Sequence, residues 1–573
     1  MITAKWHTSP REYGITIERG VRIPVAKGIT LDCDLFRPDA PGKFPLILTT
    51  HPYLQAAQSM QILPEGNSYR RAFMEAGDFN FYVRRGYAFA IVSIRGAQGS
   101  DGFIANLNPD EQTIDDICTA ITWFAKQRWC DGKIGMFGVS YFSIMQKRVA
   151  TSKKRPAALK CIFAPYGWTE AYRDLYYHGG IFAHGFNAHW AVNRAIGLKV
   201  QNNEKKRLGA KKYADAVAAL RRDPELTMVP IIAQALAEPD KGTNALLVET
   251  LLHNLYDDYH KARTVDFADS TIPAYLGADW GLYGFHLPGD LRAWEHWKGP
   301  KRLTIGPPIY LDRPLYQYAY ESLRWFDHWL KGMETGLDED KPVKLFIVGT
   351  NEWKEADDWP VPGTRWTPFY LHRGGLLSEH EFWPSEGGTS WEDSPFFHGE
   401  AVWTTPAMVE AMEICGPMAL NLWASTTDTE ALFFAALFKV AADGTRELLT
   451  RGWLRGSQRR LDARASKPWG PVHTHERREP LRPGEVTEFA IAINAYGVHL
   501  KAGERLALRL KSADDEKPGS TSEVSSMGHL WRRSASHVTV HHDAEHPSHL
   551  LLPVTKGNVV GTFISGGVLP GEG

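Results

Sequence analysis

The feature that most constrains this chain is where its helices stop. Up to about residue 342, strand-like runs alternate with helical ones; from about 343 onward only short strands remain. KFPLILTTHPY (43–53) and GYAFAIVSIRGAQGSDG (86–102) read as buried strands, the second ending in a glycine-rich loop. Between them and the strand KIGMFGVS (133–140) lies DEQTIDDICTAITWFAKQ (110–127), with apolar residues at 114, 117, 118, 121 and 124, a helical spacing. Such alternation predicts a parallel α/β sheet. Residues 151–245 read as helices broken at Pro224 and Pro239, an insertion expected to cap the strands' C-terminal ends, where open α/β sheets bind ligands. The sheet pattern resumes at STIPAYLGADWG (270–281) and KRLTIGPP (301–308), followed by the helix YAYESLRWFDHWLKGM (318–333). Beyond it VKLFIVG, TPFYLH, MALNLWAS, LFFAALFKV, TEFAIAINAY, ERLALRLKS and HVTVHH predict a β-sandwich, as a jelly roll. The expected organisation is an α/β domain in two parts (1–150 and 246–342), a helical cap (151–245) and a C-terminal jelly roll (343–573). A chain of 573 residues is too long for one core.

Composition excludes several classes of function. A net charge of −1 gives no basic field for nucleic acid. No run reaches the 18 apolar residues a membrane helix needs, and the opening MITAKWHTSP has no apolar signal core, so a cytoplasmic enzyme is the expectation. Five scattered cysteines without a C-x-x-C pair argue against both a disulfide framework and zinc.

KIGMFGVSYFS (133–143) carries the chemistry. A reactive serine must project from a sharp strand-to-helix turn beside backbone N–H donors, and small residues relieve the crowding there. Gly138 stands two before Ser140, but Phe142 occupies the second glycine position of G-x-S-x-G. On pattern alone, Ser140 is a nucleophile or a helix N-cap serine.

Further motifs decide between them. Gly138-Val139-Ser140-Tyr141-Phe142-Ser143 matches G-x-S-Y-x-G except at its last position, and Arg95, Gly96, Ser100 and Gly102 match R-G-x-x-x-S-x-G. Pro52-Tyr53 follows an early strand, and Tyr-Tyr-His-Gly-Gly (176–180) opens the cap. WKEADDWPVPGT (353–364), RPGEVTEFAI (482–491), LKAGERLALRL (500–510) and HPSHLLLPV (546–554) lie in the β-rich part. With these motifs the chain resembles, over nearly its whole length, the cocaine-esterase and X-prolyl dipeptidyl-peptidase group of α/β-hydrolases, the CocE/NonD family. The resemblance implies an α/β-hydrolase domain, a helical cap and a C-terminal jelly roll. It implies Ser140 as nucleophile, with an oxyanion hole from the Tyr53 hydroxyl and the Tyr141 backbone N–H. Trp168, Tyr177, His178 and Trp280 are expected to line the substrate pocket.

The chain departs from the family where the triad's other members belong. The family acid lies in G-W-x-D and its histidine in G-P-W-x-H, whereas this chain reads GADWGLYGFHLPG (277–289) and GPPIY (306–310). Anchoring on the tryptophan and on Gly306-Pro307 puts Leu282 and Tyr310 at those positions. A tyrosine of ordinary pKa, about 10, is a poor base at neutral pH. Three alternatives stay open. His286 replaces the base, oriented by Asp279 or Asp290, as Trp280, Gly284, His286 and Gly289 fit a variant W-x-x-x-G-L-H-x-x-G loop. Tyr310 exchanges a proton beside a ligand. Or the serine is no nucleophile, and the fold binds a carbonyl for cyclisation, C–C cleavage or isomerisation.

Other clusters have structural readings. His178, His184 and His189 lack a carboxylate or cysteine to complete a metal set, so pocket lining is expected and no metal or other cofactor. Arg95-Gly96 and Asp101-Gly102 read as turn structure. The leading expectation is hydrolysis or transfer of an acyl group from a small-molecule ester or amide. A repurposed, non-hydrolytic or ligand-binding fold is the alternative, and a homo-oligomer is compatible with either.

Overall fold

A computed structural model describes residues 6–53, 75–195, 197–308, 318–380, 387–514 and 528–557. Tyr310 therefore lies outside the described residues. The first half is built on a ten-stranded sheet. Its strands are β1 (Ile15–Ala26), β2 (Ile29–Pro38), β3 (Phe44–His51), β4 (Ala88–Ser93), β5 (Cys130–Phe137), β6 (Leu159–Phe163), β7 (Ala274–Asp279), β8 (Lys301–Gly306), β9 (Val343–Ile347) and β10 (Glu352–Ala356). They lie in the order β1-β2-β4-β3-β5-β6-β7-β8-β9-β10. Strands from β4 to β9 in that order are parallel, and the edges β1, β2 and β10 run antiparallel to their inner neighbours. Central strands β4 and β7 are buried along their whole length, as a parallel sheet covered by helices on both faces requires.

Two expected boundaries shift. VKLFIVG, read as the first strand of the all-β part, forms β9 and pairs in parallel with β8, so the α/β sheet runs on to Ala356. Near 151–245, β6 still belongs to the sheet, and the cap helices run past Asp240 to Leu252. Helix α1 (Glu111–Ala125) starts at Asp110, whose carboxylate accepts the Thr113 N–H. Helix α2 (Tyr141–Thr151) follows Ser140 directly. The main cap helices are α3 (Asn203–Leu208), α4 (Ala210–Arg221), α5 (Pro224–Thr227), α6 (Pro230–Ala237) and α7 (Asn244–Leu252). Prolines open α5 and α6, where a missing N–H costs nothing. After β7 comes α8 (Leu287–His296), and α9 (Ala319–Lys331) packs its apolar stripe on the sheet and ends at Gly332 in the left-handed region.

The glycine-rich loop after β4 is turn structure, as expected. Arg95 holds Asp116 of α1 through two hydrogen bonds of 2.7 and 2.8 Å, and Ser100 Oγ donates to Ser93 O and accepts the Asp32 N–H. Gly96 sits at φ +74°, and a Cβ there would stand 2.2 Å from Ile104 N.

The C-terminal part is an eleven-stranded sheet that closes on itself. Met412–Thr426 pairs antiparallel with both Thr487–Leu500 and His549–Lys556, which closes the end strand His549–Lys556 back onto the body of the sheet. The expected jelly roll is thus a closed barrel-like β-domain. Trp280, directly after β7, packs against Tyr496 of that domain and donates its indole N–H to Phe346 O at 2.6 Å. All five cysteines are buried free thiols.

Candidate active site

Ser140 is held in a conformation that side chains rarely adopt. It lies at φ 59°, ψ −126°, between the end of β5 and the first turn of α2. Such strain persists only where surrounding contacts over-determine it. Here the Val139 N–H donates to Glu75 O at 2.9 Å, the Ser140 N–H to Tyr166 O at 2.8 Å, and Ser140 O accepts the Ile144 N–H at 3.1 Å. Gly138, at φ +125°, is required: a Cβ would stand 2.6 Å from Phe142 Cβ and 2.9 Å from Glu75 O. The departure from the family elbow at Ser143 is accommodated by a glycine on the neighbouring segment. Ser143 Oγ donates to Ala164 O at 2.7 Å, and a Cβ on Gly167 would stand 2.4 Å from Ser143 Oγ.

Tyr53 stands beside the elbow. It follows β3, its N–H donates to His51 Nδ1 at 3.1 Å, and its ring centroid lies 6.3 Å from that of Tyr141, nearly edge-on. Tyr141 opens α2, so its backbone N–H belongs to the first turn, where helix donors lack intrahelical partners. Burial holds the Tyr141 phenol protonated.

His286 precedes α8 and is fully buried. Its ring stacks on Trp168 at 6.0 Å, meets Tyr166 edge-on at 6.3 Å and touches Phe285 at 3.9 Å. Burial, and then the Lys147 cation, hold its pKa well below the ordinary value, so the imidazole is neutral. Neither ring nitrogen has a hydrogen-bond partner among the described residues. The expectation that Asp279 or Asp290 orients it is corrected here. Asp279 Oδ1 accepts the Gly281 and Leu282 N–H groups, and Asp290 accepts from Lys147, Gly167 and Gly277.

The expected pocket residues divide. Trp168 packs with His286 and Phe285, and its indole N–H has no partner among the described residues. Tyr177 donates to Thr250 O at 3.0 Å and stacks on Tyr172. His178 Nδ1 lies 2.8 Å from His529 Nε2, and His529 Nδ1 lies 2.8 Å from Asp514, tying the cap to the β-domain. Trp280 is committed to Phe346. Tyr166 has no role in the sequence reading, yet it shares a strained positive φ, 59°, with Ser140 and receives its N–H. Nothing in APYGW beyond the glycine that follows signals it.

The comparisons with known proteins agree with this fold. The model of the X-Pro dipeptidyl-peptidase S15 family matches residues 27–309, and that of the X-Pro dipeptidyl-peptidase C-terminal non-catalytic domain matches residues 335–551. The chain belongs to the CocE/NonD, S15-like family. The cocaine esterase of Rhodococcus sp. (strain MB1 Bresler) is 25% identical over 601 residues, covering 94% of this chain and 99% of its own. Among solved folds, a CocE/NonD family hydrolase from Staphylococcus aureus superposes with a TM-score of 0.78 at 22% identity, covering 94% of each chain. An aminopeptidase from a marine-sediment Thaumarchaeota archaeon superposes with a TM-score of 0.71 at 16% identity, covering 95% of this chain and 97% of that one.

Six buried histidines among the described residues make this CocE/NonD chain acid-sensitive. Burial brings His51, His260 and His473 to about 4 and His178 to about 3, and leaves His286 and His475 well below the ordinary value. In the unfolded chain these rings take up protons near pH 6.5, so the unfolded state binds more protons on the acid side and stability falls there. Each ring costs about 1.4 kcal/mol per pH unit below that point, until its folded pKa is reached. The largest shifts of the opposite sign are those of Asp279 and Asp290, which burial raises (Asp290 to about 6), of Glu379, which burial raises to about 7, and of His253, which burial lowers but its bonds to Asp257 and Glu204 raise overall to about 9; the lowered rings outnumber them. The melting temperature is expected to be lower at pH 5 than at pH 7.5. An equal or higher value at pH 5, by calorimetry, would contradict burial of these rings as neutral groups.

Proposed function

We propose that the protein is a serine hydrolase, or acyl transferase, of small-molecule carboxylic esters or amides, with Ser140 as nucleophile. The observation that carries this reading is the strained Ser140 turn, held by Tyr166 O at the head of α2 in a chain of this family. Strain of this kind clusters where a side chain must be presented for chemistry.

In this reading Ser140 Oγ attacks the carbonyl carbon while His286 takes its proton. The carbonyl π pair moves onto oxygen, where the Tyr53 hydroxyl and the Tyr141 N–H receive it. Collapse expels the alcohol or amine, which recovers the proton from His286. Water, or another nucleophile, then cleaves the acyl-enzyme by the same steps in reverse. What supports His286 is its neutral imidazole with uncommitted nitrogens, beside the tyrosine whose carbonyl holds Ser140.

Steady-state hydrolysis of a p-nitrophenyl ester tests the proposed oxyanion hole. Tyr53→Phe is expected to lower kcat by about 10²–10³, the usual loss for one oxyanion donor, with KM little changed. An unchanged kcat would remove Tyr53 from the hole.

The second reading, a non-hydrolytic step on the same fold, is favoured by one observation: among the described residues no carboxylate bonds to His286. It requires Ser140→Ala to retain much of the activity.

A further inference from the structure

Helix α2 is buried on every side, so its polar residues need partners inside the protein. Gln146 donates to Gly138 O and Arg148 to Pro109 O. Lys147 has a carboxylate. Its ammonium lies 2.8 Å from Asp290 Oδ1, both side chains fully shielded from solvent, and it donates to Gly167 O at 2.7 Å. Asp290 in turn accepts the Gly167 N–H at 2.9 Å and the Gly277 N–H at 3.2 Å.

These contacts converge on the backbone that holds the nucleophile. Tyr166 accepts the Ser140 N–H, and its own N–H donates to Gly277 O at 2.6 Å. Asp290 thus grips Gly167 and Gly277, the next residue after Tyr166 and that residue's own partner. Lys147 ties α2, seven positions after Ser140, to the same point. The backbones approach so closely that side chains are excluded. A Cβ would stand 2.4 Å from Ser143 Oγ at Gly167, 2.5 Å from Thr304 O at Gly277, and 2.5 Å from Trp168 Cα at Gly289, beside Asp290.

We propose that Lys147 and Asp290 are positioning residues, a buried ion pair that fixes Tyr166 and so locks Ser140 in its attacking conformation. This deepens the reading of Ser140 as nucleophile and rests on it. Asp290 donates its backbone N–H to His286 O at 3.2 Å, so the pair also anchors the start of α8. Stability alone is a weak reason for such a pair, because apolar residues of similar volume often replace a buried ion pair without loss. Geometric registration gives the pair a function that apolar side chains lack, since they cannot hold two backbone N–H groups and a carbonyl.

The test follows from that contrast. Wild type, Lys147→Met/Asp290→Leu and Asp290→Asn are incubated with a fluorophosphonate probe, and the labelling rate is measured against probe concentration alongside the thermal transition. The double variant is expected to stay folded and to label at least about tenfold slower, through the limiting rate rather than the half-saturating concentration. Asp290→Asn, which keeps one acceptor oxygen, is expected to fall between it and wild type. Labelling of the folded double variant within twofold of wild type would overturn the proposal. So would losses, in every variant, that match the unfolded fraction seen by circular dichroism. A wild type that takes no label would instead sink the nucleophile assignment, and the positioning role with it.

Discussion

Replacing Ser140 by alanine is expected to reduce kcat for any ester the protein turns over by about 10⁴- to 10⁶-fold. The whole acylation route depends on one oxygen, and no other hydroxyl shares its strained position at the head of α2. The fold should survive, because the contacts that hold the turn are made by backbone atoms: the Ser140 N–H to Tyr166 O and the Ile144 N–H to Ser140 O. Alanine keeps both, although the positive φ costs it about as much as it costs serine. Parallel circular-dichroism melts and initial rates separate the two effects. A folded Ser140→Ala protein that keeps more than a tenth of the activity would move the chemistry off this residue and favour the non-hydrolytic reading.

Replacing His286 by alanine is expected to lower kcat/KM by about 10²–10⁴, the usual contribution of a positioned base. A base must be unprotonated to act, and here burial and Lys147 hold the imidazole neutral to well below its ordinary pKa. The acid limb of the wild-type pH–rate profile should therefore lie well below pH 6.5, with kcat/KM nearly flat from about pH 6 to 8. The buried ring also fills space against Trp168 and Phe285, so His286→Ala leaves a cavity. His286→Phe keeps that volume without a nitrogen and should be equally inactive. Near-normal rates in His286→Phe, or an acid limb at about 6.5, would assign the proton to another group.

Much of this was legible in the sequence. The buried run of β5, the glycine before Ser140 and the helical spacing that follows define the elbow, because each is a local requirement. The strand VKLFIVG was legible as a strand but not as β9. An alternating apolar run suits the edge region of a parallel sheet as well as a β-domain, and only its pairing with β8 decides. The closed β-domain depends on Met412–Thr426 pairing with two distant partners, which no local pattern records.

The site was less legible where its parts are held by long-range polar contacts. Lys147 sits in MQKRVA, where a lysine would ordinarily mark a solvated helix face; its partner Asp290 is 143 residues away. Asp279 and Asp290 were reasonable partners for His286 by proximity in sequence, but Asp290 is taken up by Lys147 and two backbone N–H groups, and Asp279, whose Oδ1 accepts two backbone N–H groups, makes no hydrogen bond to the imidazole. Tyr166 was invisible because a bulky residue at positive φ contradicts its own preference, and only the surrounding structure imposes it.

The most direct test of the central claim is the intact mass of the protein after incubation with a fluorophosphonate probe, on wild type and Ser140→Ala. The account predicts a single adduct on wild type and none on the variant, which would establish Ser140 as an activated nucleophile. A folded wild type that takes no adduct, or a Ser140→Ala protein that takes the same one, would contradict it.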